Sequence, residues 1–114
     1  MQDHELDAWL GDTPATDEHR AALLRAAATI AHRYPDEDMR IASEQAFAGA
    51  AQIILGDSSL ADLGDEYARA RRAERDAMAA LTGAIIAAAP EMSESAISRD
   101  SGLTRMTVRK ALGK

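Results

Sequence analysis

A chain of 114 residues with formal net charge −6 suffices for one domain, or a small domain with an appended module, and its core is modest. Alanine occurs 26 times, valine once and aromatic residues four times; alanine is the best helix former and β-branched or aromatic residues favour strands, so a sheet-based fold is excluded and an all-α one predicted. The lack of cysteine excludes a disulfide framework and a thiolate metal site.

The opening MQDHELD is acidic where a secretory signal needs positive charge and an apolar run. The longest weakly polar stretch, Ala77 to Pro90, contains Thr82 and Gly83 and is too short for a bilayer core of about 30 Å. A cytoplasmic protein without a membrane partner is expected. The charge is uneven: residues 1–63 sum to −8, residues 64–90 to zero and residues 91–114 to +2, and within Ser98 to Lys114 five bases face Asp100 alone. Such asymmetry points to divided labour, with the basic end as an electrostatic footprint for nucleic acid. Two regions are expected: an acidic helical one over 1–63, for dimerisation or partner binding, and a long helix with a terminal module over 64–114.

In chain order, the first predicted element is a short amphipathic helix from His4 to Leu10, with Leu6, Trp9 and Leu10 on one side and Gly11 as its stop. Thr13-Pro14 or Thr16 caps the second, with Asp17 and Glu18 in its first turn opposing the dipole. Its stripe is Leu23, Ala27, Ile30 and Tyr34, and Pro35 ends it. Asp36 opens the third, with Met39, Ala42, Ala46, Ala50 and Ile53 inward, Phe47 and Ile54 beside them, and Gly56 and Asp57 closing it. Ser59 with Asp62 resembles a capping box for a segment that Gly64 interrupts. A long helix then runs from Asp65 to Ala89 and stops at Pro90. Its first half, DEYARARRAERD, is highly charged and fits a subunit boundary. Its second half, AMAALTGAIIAAA, is apolar on more than one face and is expected to be buried.

After Pro90 the sequence is EMSESAISRDSGLTRMTVRKALGK. Ser93 caps a short helix, Glu94 to Asp100, and Gly102 can adopt the positive φ of a sharp helix-to-helix turn. Thr104 caps a second helix, Arg105 to Leu112, which Gly113 ends. With Ile97 and the small Ser98 before Gly102, Leu103 directly after it, and Val108 and Leu112 beyond, this stretch resembles a helix-turn-helix DNA-binding motif. It is similar to the terminal helix-turn-helix of the Fis nucleoid protein and of resolvase-type recombinases, and to that of small actinobacterial, phage and plasmid regulators. The family usually carries alanine where Ser98 stands and a larger apolar residue where Ala111 stands. The resemblance covers about the last 24 residues, and about 45 with the preceding helix. It implies a helical bundle whose long helix leads into the motif, fastened by Ile97, Ser98, Gly102, Leu103, Val108 and Leu112.

At 100° per residue Val108, Leu112 and Ala111 share an inward face, and Met106, Arg109 and Lys110 lie opposite, with Arg105 and Thr107 at the edges. In the motif, residues early in the second helix reach base edges in the major groove. Arg105, Met106, Arg109 and Lys110 are therefore the expected base contacts, the arginines to guanine and Met106 to a thymine methyl. Ser93, Ser95, Thr104, Thr107 and Lys114 are the expected phosphate contacts.

No catalytic constellation, phosphate loop, cofactor motif or metal-ligand spacing is found, so the expectation is no enzyme, no cofactor and no metal. His4, His19 and His32 read as surface or helix-terminal residues. Trp9 reads first as a core residue and second as an anchor for a partner. The resulting expectation is a homodimeric, sequence-specific double-stranded DNA-binding regulator, more a repressor than an activator and associated with the nucleoid. The alternatives are an antitoxin-like or adaptor protein whose acidic N-terminal half grips a protein partner, and a low-specificity architectural or partition protein.

Overall fold

The computed structural model describes Met1 to Lys114 and is all helical: α1 (Asp3–Leu10), α2 (Asp17–Arg33), a 3-10 turn (Glu37–Met39), α3 (Arg40–Ile54), α4 (Leu60–Ala88), α5 (Glu94–Ser101) and α6 (Arg105–Ala111). It forms two compact units, Met1–Asp65 and Glu66–Lys114, with α4 running from the end of the first into the second. No helix is long and apolar enough to cross a membrane.

In the first unit, side chains that meet orphan amides set the helix starts. Thr16 accepts from the His19 amide at 3.1 Å while His19 Nδ1 accepts from the Thr16 amide at 3.3 Å. Two of the four unpaired donors at the start of α2 are thereby satisfied. Thr16, not Thr13-Pro14, is the cap, and His19 belongs to it. The core joins Leu6 and Leu10 of α1, Leu23 and Ala27 of α2, and Phe47 and Ala51 of α3, with Leu24, Ile30, Ile54 and Leu55 packed around them. An ion pair between Arg20 and Asp7 at 2.7 Å links α2 to α1.

The inward face of α3 corrects the sequence reading. Ala42 and Ile53 are exposed, and the buried residues are Phe47 and Ala51 with Ser43 half-buried a turn earlier. The helix is rotated by one residue, about 100°, from the expected stripe. Alanines flank every face of α3 and Ile41 and Ile53 stay exposed, so its one aromatic side chain, Phe47, decides. Trp9 meets the Phe47 ring edge-on at 4.8 Å yet stays 45% exposed. It caps the core instead of filling it. Asp36 opens only the 3-10 turn, and α3 proper begins at Arg40.

Two expectations about α4 also change. The Ser59 hydroxyl accepts from the Asp62 amide at 3.1 Å, and the helix then runs through Gly64 without a break. A mid-helix glycine costs about 1 kcal/mol relative to alanine, which a capped first turn offsets. The apolar second half is not buried all round: Ile85 alone is buried, Leu81, Ala88 and Ala89 are half-buried, and Ala84, Ile86 and Ala87 are exposed. In the second unit Ile85 packs with Ile97 of α5 and Val108 of α6, bordered by Leu81, Ala89, Met92, Leu103, Ala111 and Leu112.

Candidate nucleic-acid interface

Four local interactions shape the α5–α6 pair. The Ser93 hydroxyl accepts from the Ala96 amide at 3.1 Å and starts α5. Gly102 ends it at φ +75°, its amide bonded to the Ser98 carbonyl; a side chain would be strained in this left-handed conformation. The Thr104 hydroxyl accepts from the Thr107 amide at 3.1 Å, starts α6 and lies 2.9 Å from the Thr107 hydroxyl. Gly113, at φ +77°, lets the Lys114 amide reach the Arg109 carbonyl at 2.9 Å, a terminal bond that satisfies an orphan carbonyl.

Packing then fixes which side of α6 faces outward. Val108 is fully buried and Ile97 nearly so, with Leu103, Ala111 and Leu112 half-buried beside them. Burying a valine side chain stabilises by about 1.5–3 kcal/mol. Ser98, half-buried, does more than permit close approach: its hydroxyl donates to the Leu103 carbonyl and ties α5 to the turn. The Ser101 hydroxyl accepts from the Leu103 amide at 3.3 Å. On the other side, Arg105, Met106, Arg109 and Lys110 are exposed together, Met106 at 79%. Ser93, Ser95, Thr104 and Lys114 are exposed and Thr107 half-buried. The side chains named from the sequence as base contacts therefore share one outward surface.

One residue of this surface escaped the sequence reading. Glu94, in the first turn of α5, points its carboxylate at the basic side chains of α6. Arg109 donates to Oε1 at 3.0 Å and to Oε2 at 3.3 Å, and Lys114 Nζ donates to Oε2 at 3.1 Å. Arg105 Nη2 lies 3.9 Å from Oε1. The Glu94 side chain is 18% exposed, against more than half for each of its partners. The hydrogen bonds from Lys114 and then Arg109 hold its carboxyl below the ordinary value of 4.5. Three cations thus converge on one carboxylate. Fifteen or more residues separate Glu94 from Arg109 and Lys114, so no local spacing announces the contact; it follows only from how α5 crosses α6.

Elsewhere no group of three His, Asp or Glu side chains gathers that could hold a metal ion. A groove of about 250 Å³ in the first unit is lined by Trp9, Phe47, Ile30 and Met1, with Glu5 and Glu44 among its walls. Comparison with known protein families, curated proteins and solved structures gives no match to this chain.

Proposed function

We propose that the chain is a sequence-specific double-stranded DNA-binding protein, a homodimeric transcriptional regulator that inserts α6 into the major groove through a helix-turn-helix formed by α5 and α6. The observation that carries this reading is the shared exposure of Arg105, Met106, Arg109 and Lys110 opposite the buried Val108. These residues lie in a segment of charge +4 within a chain of charge −6. A side-chain row of that kind on a short helix suits the width of the major groove, where arginine pairs with guanine O6 and N7. Ser93 and Thr104, each capping a helix N-terminus, stand where hydroxyls and backbone amides favour phosphate oxygens. One α6 reaches only a few bases, so two copies on a two-fold site give the selectivity that one lacks.

The test is selection of bound duplexes from a random pool, followed by fluorescence anisotropy on the selected site and on an unrelated duplex. Arg109→Ala is expected to cost about 1–3 kcal/mol on the selected site and to relax preference at one base pair. Lys114→Ala is expected to weaken all duplexes alike and to reduce the salt slope. Absence of any complex at low ionic strength overturns the reading. The half-exposed Trp9 beside the groove of the acidic unit supports a second reading, in which that unit also grips a protein partner. Recovery of a stoichiometric basic protein with the wild-type chain, lost with Trp9→Ala, is its test.

A further inference from the structure

From Gly64 to Ala80 every residue of α4 is exposed. A helix surrounded by solvent over such a length gains no packing, and packing of an apolar stripe supplies most helical stability in proteins. Part of its apolar surface is nevertheless in register, with Ala68, Ala73, Met78, Ala79 and Ala80 lying off the seam. With Tyr67 at position a of a heptad, Ala70 and Ala77 fall at successive d positions, and Leu63 and Leu60 continue the pattern toward the start of α4. Tyr67 is 63% and Leu60 81% exposed. The flanks carry opposite charges: Glu66 falls at g and Arg71 at the following e, the two positions that face each other between parallel strands of a coiled coil. None of the ion pairs in the chain involves α4. Arg71 meets Tyr67 of its own helix, donating to its hydroxyl at 3.2 Å with its guanidinium 5.8 Å from the ring centroid.

We propose that this face of α4 receives a second copy of the chain, parallel and in register, with Tyr67, Ala70 and Ala77 along the seam and Glu66 of each protomer against Arg71 of the other. The flanks support a second copy as the occupant, because in a parallel, two-fold pair the acid at g and the base at e of one helix meet the base and the acid of the other. Glu74 holds the remaining a position. In a parallel, in-register pair its carboxylate meets that of the second copy, one charged layer that lowers stability. The proposal gives an interface to the dimer of the preceding reading and rests on that reading only for the dimer. Its test contains no DNA, so failure of the pairing and failure of DNA binding are told apart.

The test is sedimentation equilibrium of the full chain across the micromolar range, with helix content checked by circular dichroism. The wild-type chain is expected to be dimeric. Ala70→Glu adds a second layer of facing carboxylates next to that of Glu74 and is expected to weaken the dimer about tenfold or more, while Ala79→Glu, the same change at the outward f position, leaves it unaltered. Because the chain has no cysteine, A70C is expected to oxidise to a covalent dimer under conditions that leave A79C, at the outward f position, reduced, since only the seam holds two thiols together; it also tests the pairing should Ala70→Glu lose helix. A monomeric wild-type chain, equal weakening by Ala79→Glu, or an A70C variant that does not cross-link overturns the proposal.

Discussion

Glu94 places a carboxylate within hydrogen-bonding distance of Arg109 and Lys114, two of the cations that the DNA-binding reading assigns to DNA. Each must exchange that carboxylate for a phosphate or a base edge, and the carboxylate then repels the backbone beside it. Glu94→Gln removes the charge and keeps the shape. It is expected to raise affinity for every duplex by several-fold at low salt, and to steepen the plot of log affinity against log salt by about 0.9, one phosphate equivalent. Anisotropy titrations of both proteins at three or more salt concentrations check this; equal slopes refute it. The same ion cluster makes stability depend on pH. The Glu94 carboxyl is held below 4.5 by Lys114 and Arg109, so its contribution is complete above that value and is lost as the pH falls through the lowered one. Thermal midpoints of the wild-type chain should therefore fall more steeply below pH 4.5 than those of Glu94→Gln. Gly102 makes a separate residue-level case. Open space surrounds the position a Cβ would take, so Gly102→Ala meets only the backbone cost of a left-handed residue, roughly 1–2 kcal/mol. Its Tm is expected to drop by about 4–8 °C per kcal/mol.

Among the elements, the capped helix starts were legible in the sequence and the inward face of α3 was not. Thr16, Ser59, Ser93 and Thr104 each start a helix by accepting an orphan amide, a local interaction that sequence alone specifies. Which face of α3 turns inward depends on its neighbours, and with alanine on every side only Phe47 separates one register from the next. The exposed Ile86 and Ala87 of α4 show the same degeneracy: hydrophobicity names residues that prefer burial and does not supply a partner to bury them. The row of outward residues on α6 was legible because Val108 is the only β-branched residue on that helix's inner side; the Glu94 contact was not, since it depends on a helix crossing. Ile85 is the one α4 residue buried against Ile97 and Val108. Ile85→Ala is expected to cost about 2–5 kcal/mol and to speed amide exchange at the buried Val108. Ala84→Ser, at the exposed neighbouring position, should change neither. Similar exchange in both variants refutes the view that α4 fastens the α5–α6 pair.

At the scale of the whole molecule, charge and symmetry act together. Residues 1–63 carry −8, which repels phosphate and leaves the basic end as the favourable approach to a duplex. On the DNA-binding reading that end alone reaches few bases, and selectivity would come from joining two copies. A joined pair binds its second half-site intramolecularly, at an effective concentration that can raise affinity by about 10²–10⁴ without any new contact. The gain exists only where both half-sites face the same side of the duplex, about 34 Å or one helical turn apart. Inserting half a turn of duplex between the half-sites of a selected site is therefore expected to reduce wild-type affinity to that of a single half-site. Ala70→Glu should bind the two spacings alike, both at the single-site level, because the variant has lost its pairing and not its groove contacts. Competition titrations with the two duplexes measure the ratio directly. A wild-type chain indifferent to the insertion would bind as independent units, and the coupling of α4 pairing to site choice would be refuted while groove binding by α6 stood.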